Sequence, residues 1–247
     1  MMSIDAFVNL ARKRRSTRMF KPDPVADESI EKILEAARWA MSGANAQPWE
    51  FIVIKDEETK KKLGEAYLWI TEASLKVELT RLPEYSHTKF SRDNVNDLSG
   101  YTLWTRAPVI IAVLGDARTL QASNMTGRYF EEHTFTNNLA NATHMIHLAA
   151  AALGLGAQWV TIMQPVSEMM KPILRIPPAL KLFTLVPIGY AAQQGTPYRR
   201  ELSEMVHYEK YDLSKFRSQD EIQEFIKHLR RRHAEASSYP RSGDKPE

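Results

Sequence analysis

The chain has 247 residues, 43% of them hydrophobic, which is enough to bury a sizeable core in a single domain. It contains no cysteine, so disulfides, thiolate nucleophiles, thiolate zinc sites and cysteine-ligated iron–sulfur clusters are excluded together. Its 33 basic residues face 30 acidic ones for a net charge of +3, so any basic patch has to come from local clustering.

No stretch approaches the roughly 18 apolar residues of a membrane span, and no apolar leader opens the chain. A soluble protein of the reducing cytoplasm, with no membrane partner, is expected.

Ile4, Phe7, Val8 and Ala11 fall at helical spacing behind Ser3, predicting a short amphipathic helix capped by that serine. The helix runs into RKRRSTR at 12–18, where Arg12, Lys13, Arg14, Arg15 and Arg18 surround Ser16 and Thr17. Cations interleaved with hydroxyls read as a phosphate site or as a solvated basic face. Asp27 is placed to cap a second helix whose apolar positions, Ile30, Ile33, Leu34, Ala37 and Met41, keep their spacing until Gly43.

The stretch MSGANAQPW at 41–49 carries no charge. Gly43 can bring bare backbone close to a partner, Ser42, Asn45 and Gln47 hydrogen-bond with both polarities, and Pro48 drives Gln47 out of the α region so that the chain leaves extended. Such a loop suits a flat ligand with polar edges, or is a plain helix-to-strand connection. The apolar run at 51–54 then predicts a strand buried on both faces.

Leu63, Ala66, Tyr67, Ile70, Ser74 and Val77 predict another helix, and the polar stretch 83–106 with its scattered aromatics reads as an excursion or lid. PVIIAVL at 108–114 is a buried strand. Phe135, Leu139, Ala142, Ile146, Ala149 and Leu153 mark a long core helix. His144 and His147 lie one turn apart on it, which is metal-ligand spacing, but no third ligand accompanies them, so packing histidines and no metal are expected.

Gly154 and Gly156 end this helix, lacking the third glycine and the strand-first order of a dinucleotide fingerprint. A strand at 157–162, a short helix through Val166, Met169, Met170 and Ile173, and a strand at 182–188 follow. Interleaved helices and short apolar strands indicate an α+β fold, a sheet sandwiched by helices. Arg199 and Arg200 follow a turn-rich loop; Ile222, Phe225, Ile226 and Leu229 predict a final helix, and 234–247 are expected to be disordered.

Five pieces carry a family resemblance: RRSTR at 14–18, MSGANAQPW at 41–49, APVIIAV at 107–113, LGLGAQWVT at 153–161 and PYRREL at 197–202. In this order and spacing they resemble the FMN-dependent nitroreductase family, within the nitroreductase and iodotyrosine deiodinase-like superfamily. The resemblance implies a nitroreductase-like central mixed sheet sandwiched by helices, in residues 1–202. It further implies a domain-swapped homodimer whose C-terminal extension, 203–233, wraps the partner.

By the same resemblance, Arg14, Arg15, Ser16 and Arg18 grip the FMN phosphate, completed by Arg199 and Arg200. Ser42, Gly43, Ala44, Asn45 and Gln47 reach the isoalloxazine of the other subunit, and Trp159, Val160 and Thr161 line the flavin. A helical lid at about 62–106 offers Trp69, Tyr85, Tyr101 and Trp104 to a small planar acceptor. NAD(P)H reduces the flavin in a ping-pong cycle with nitroaromatics or quinones as acceptors, and no side chain is assigned as catalytic acid or base.

Two positions depart from the family pattern: His144-Met145 stands where a Gln-Asn pair is usual, and Met41 replaces a proline. Reductive dehalogenation of the iodotyrosine deiodinase kind and flavin fragmentation are same-fold alternatives. A non-catalytic polyanion-binding module is a remote one, and no nucleic-acid partner is expected.

Overall fold

The computed structural model describes residues 3–80, 98–122, 128–193, 195 and 197–236. The chain divides into two compact units, 1–194 and 195–247.

In the first unit, β2 (Val109–Asp116) is buried from Val109 through Gly115, and its two faces carry separate cores. Val109, Ile111 and Val113 pack against α2 (Asp27–Arg38) and α4 (Arg128–Ala152), through Ile30, Ile33, Ile146 and Ala150. Ile110, Ala112 and Leu114 pack against α3 (Glu57–Leu79) and α5 (Gln164–Ile173), through Leu63, Ala66, Val166 and Met170. Period-two alternation thus divides one strand between two helical layers.

β2 pairs with β1 (Trp49–Ile54) on one side and with β5 (Leu180–Gly189) on the other. β3 (Gly156–Ala157) and β4 (Val160–Thr161) both pair with β5. All four pairings are antiparallel, which corrects the expected mixed sheet. Ile54, closing β1, sits opposite Ile110, near the start of β2, so the connection between the two strands leaves from and arrives at the same end of the sheet. Parallel pairing among the described residues is confined to one bridge, Ser16 with Ala157.

Other expectations need correction. β1 is an edge strand, not one buried on both faces, and Val53 is 40% exposed. α2 has Ala26 at its cap, and the Asp27 carboxylate pairs with Lys55 instead. It ends at Arg38, not at Gly43; Glu35 binds Arg38 and Trp39, closing the last turn. The strand expected at 157–162 splits in two as Trp159 lifts out between β3 and β4.

α1 (Ile4–Lys13) forms as predicted, with Ser3 Oγ accepting from the nitrogen of Ala6 at 3.2 Å. Its apolar face is uncovered in this chain, Ile4 being 72% exposed. α4 ends at Ala152, and Gly154 just beyond it has a φ of +74° that suits the left-handed position closing a helix, while the nitrogen of Leu155 donates to the carbonyl of Ala150 at 2.8 Å.

The second unit contains short 3-10 turns at Leu202–Glu204 and Leu213–Lys215 and the helix α6 (Gln219–Ala236). Ser218 and Glu221 cap that helix reciprocally, nitrogen to side chain in both directions. Residues 234–236 are helical, which corrects the expectation of disorder there; 237–247 lie outside the described residues.

Candidate functional site

The arginine-rich segment leaves α1 at Arg14, whose φ of −57° and ψ of 129° turn the chain extended. Ser16 then bridges Ala157, and the nitrogen of Thr17 donates to the Ala157 carbonyl at 3.0 Å. Strand-like alternation buries Thr17 and leaves Ser16 and Arg18 exposed. The crossing depends on Gly156, because a Cβ there would lie 2.7 Å from the Cβ of Thr17. The Arg15 guanidinium folds back on α1, donating to the carbonyls of Arg12 and Arg14, so it caps the negative end of the helix dipole.

Between the end of α1, this segment and the end of α4 lies a cavity of about 530 Å³. Arg12, Lys13, Arg14, Arg15, Thr17 and His147 contribute to its wall, and among the described residues no carboxylate does. A cavity of this size and sign is suited to an anion held by guanidinium forks.

The two histidines of α4 part company. His144 is exposed, against the expectation that it packs; His147 is 5% exposed and stacks on Trp159 with ring centroids 6.3 Å apart and planes 10° apart. Both ring nitrogens of His147 are buried without a hydrogen-bond partner. Burial, and then the charges of Arg14 and His144, push its pKa down to about 4. The imidazole is therefore neutral near pH 7, with one donor and one acceptor to offer.

The uncharged loop forms a 3-10 turn at Gly43–Asn45. φ is positive at Ala44 (53°), Asn45 (52°) and Gln47 (44°), with Ala46 right-handed between them, and each left-handed residue costs on the order of 1–3 kcal/mol. Gln47 leaves the right-handed region as Pro48 requires, but is left-handed where an extended exit was expected.

Side chains hold this shape. Gly43 N donates to Asn138 Oδ1 at 3.0 Å, Asn141 Nδ2 donates to the Met41 carbonyl at 3.2 Å, and Gln47 N donates to Ser42 Oγ at 3.1 Å. Asn138 and Asn141 escaped the sequence reading; two amides one turn apart on a core helix were the available signal. Gly43, Ala44, Asn45 and Gln47 are exposed, and the loop does not line the basic cavity of its own chain.

Trp159 is 38% exposed and stands edge-on to Phe183 at 5.5 Å. Thr161 is exposed beside it. Val160 is 2% exposed with its side chain in the core, so the expected contribution of that side chain to a ligand surface is corrected.

Of the lid aromatics, Trp69 on α3 is 56% exposed and Tyr101, in the 3-10 segment Ser99–Arg106, is 45% exposed. Trp104 is 2% exposed and meets Tyr67 edge-on at 5.7 Å within the core, which removes it from the open faces expected of a lid. Tyr85 lies outside the described residues. Arg199 and Arg200 belong to the second unit; Arg199 donates to the Tyr198 carbonyl at 2.6 Å and Arg200 to the Glu204 carboxylate at 3.1 Å.

The chain belongs to the Nitroreductase family, whose model matches residues 11–190, from the basic segment to the end of β5. A protein of Archaeoglobus fulgidus named as a candidate NADH dehydrogenase/NAD(P)H nitroreductase is 30% identical over 207 residues, covering 80% of this chain and 94% of that protein. The 5,6-dimethylbenzimidazole synthase of Rhodospirillum rubrum is 26% identical over 190 residues, covering 77% of this chain and 84% of that one. A candidate nitroreductase of Desulfovibrio desulfuricans, solved in complex with FMN, superposes with a TM-score of 0.58 at 27% identity, over 86% of this chain and 100% of that one. The fold is thus nitroreductase-like α+β with an antiparallel sheet, and the family is one of oxidoreductases.

Proposed function

We propose that the protein is an FMN-dependent NAD(P)H oxidoreductase that passes electrons to small planar acceptors such as nitroaromatics and quinones. The observation that carries this reading is the acid-free cavity walled by Arg12, Lys13, Arg14 and Arg15, closed by a glycine that lets two backbones cross.

Arg14 and Arg18, with the Ser16 hydroxyl, would hold the phosphate monoester, a group of about −1.5 to −2 charge. Trp159 and the exposed side of Thr161 would flank the ring system. The pre-formed loop at 42–47, exposed and not part of the wall of its own chain's cavity, would present its amides to the ring of a neighbouring subunit. FMN held there would supply the redox chemistry, hydride acceptance from NAD(P)H and electron donation to the acceptor. The protein orients and neutralises; none of its side chains is assigned a proton transfer.

A homodimer is part of the proposal. Ile4, Phe7 and Val8 of α1, and Leu202, Leu213 and Phe216 of the second unit, are exposed apolar groups of the kind that an interface covers. Among the described residues no helix is long and apolar enough to cross a membrane; a cytoplasmic location is proposed with the rest.

The similarity to 5,6-dimethylbenzimidazole synthase supports one competing reading on the same fold, flavin fragmentation. The test is FMN titration followed by steady-state turnover with a nitroaromatic, a quinone and a halotyrosine under NADH and NADPH. Arg14→Ala and Arg18→Ala should each cost about 1.5–3 kcal/mol of FMN binding. Wild-type affinity in both variants removes the site assignment. Turnover of halotyrosine alone, or loss of the flavin itself during turnover, overturns the reaction.

A further inference from the structure

Packing does not account for His147. Ile146 and Ala150 beside it on α4 are apolar and fully buried, and a leucine would occupy the same volume without a polar cost. Instead the chain buries an imidazole with neither nitrogen partnered, although buried polar groups are almost always hydrogen-bonded. Trp159 fixes the plane of the ring, which shares a cavity wall with Arg14, Arg15 and Thr17.

The charged groups around it are Arg14 on the segment after α1, His144 on α4 itself, and Arg12, Lys13 and Arg15 elsewhere on the wall. The guanidinium and ammonium groups among these are donors only and cannot accept a hydrogen bond from the imidazole. An oxygen-rich anion entering the cavity would answer both the arginines and the imidazole, which can donate through one ring nitrogen.

We propose that His147 is a ligand-positioning residue that hydrogen-bonds the phosphate-bearing end of bound FMN from the inner wall of the cavity. The inference rests on the FMN reading above and adds to it a residue on α4.

Three proteins are titrated with FMN by flavin fluorescence: wild type, His147→Leu and His147→Gln. Thermal unfolding of each is recorded without flavin. The leucine variant should bind FMN about tenfold more weakly, the scale of one hydrogen bond, while its flavin-free form melts at or above the wild-type temperature, since an unpaired polar group has been removed. Glutamine, which restores a donor, should bind within about threefold of wild type.

If wild type binds FMN and the leucine variant matches it within twofold, the inference falls and the FMN reading stands; equal weakening in both variants also overturns it, as the mark of lost shape. Failure of wild type to bind FMN removes the reading and the inference together. Should a variant not fold, the imidazole nitrogen resonances of wild-type His147 decide: they shift on addition of FMN if the bond forms, and stay in place if it does not.

Discussion

The backbone nitrogen of Gly43 donates to the side-chain oxygen of Asn138 at 3.0 Å, tying the uncharged loop to the central helix of the core. The loop approaches that helix closely, since a Cβ on Gly43 would lie 2.9 Å from Thr134 Cγ2. Left-handed backbone at Ala44, Asn45 and Gln47 persists only where surrounding contacts over-determine it, and Asn138 supplies one of those contacts.

Asn138→Ala should therefore act at a distance. Losing the acceptor is expected to cost about 1–3 kcal/mol in urea unfolding. It should also weaken FMN binding, because the amides of residues 43–47 are no longer held in place. Unchanged FMN affinity alongside lowered stability would separate the loop from the cofactor.

Gly156→Ala tests the crossing under the basic segment. The added methyl meets Thr17, whose backbone is pinned to Ala157, so the strain has to move residues 14–18. A stability loss of about 1–3 kcal/mol, the usual range of overpacking, should come with poorer FMN retention. Differential scanning calorimetry and flavin occupancy after dialysis measure both.

Stability should fall as acid is added, in a window set by His147. In the unfolded chain its imidazole has the ordinary value of 6.5, whereas in the folded protein it is held to about 4. As pH falls through 6.5 the unfolded state takes up a proton that the native state refuses, so stability is lost between about 6.5 and 4. The full loss is about 3 kcal/mol. Urea unfolding of wild type and His147→Leu at pH 7 and 4.5 checks it; the variant should lack that part of the slope.

The lid aromatics should divide. Trp104→Ala empties a core site and is expected to cost about 3–5 kcal/mol. Trp69→Ala, at an exposed position, should change stability by no more than about 0.5 kcal/mol, so any change in acceptor KM would report contact with the acceptor. Unfolding curves and a nitroaromatic saturation series, run on both variants, distinguish them.

Local pattern made much of this molecule legible. The apolar run at 109–114 has no polar face to show water, so it had to be a central strand. The three- and four-residue spacing from Phe135 to Leu153 could form only a core helix, and Ser3 stood where α1 needs an acceptor. The motifs at 14–18, 41–49 and 153–161 identified the family, because their chemistry is written in consecutive residues.

What sequence periodicity could not supply is which face another element covers. Trp69 and Trp104 are alike as letters, yet α3 and its neighbours enclose one and leave the other in solvent. His144 and His147 share a helix and differ by less than one turn, and only the approach of Trp159 and the end of α1 makes one a buried neutral base. β1 reads as fully buried by composition but lies at the sheet edge, since pairing is settled by where the chain returns after α3. Burial and hydrogen-bond satisfaction belong to pairs of elements distant in sequence, so the tertiary structure alone decided them.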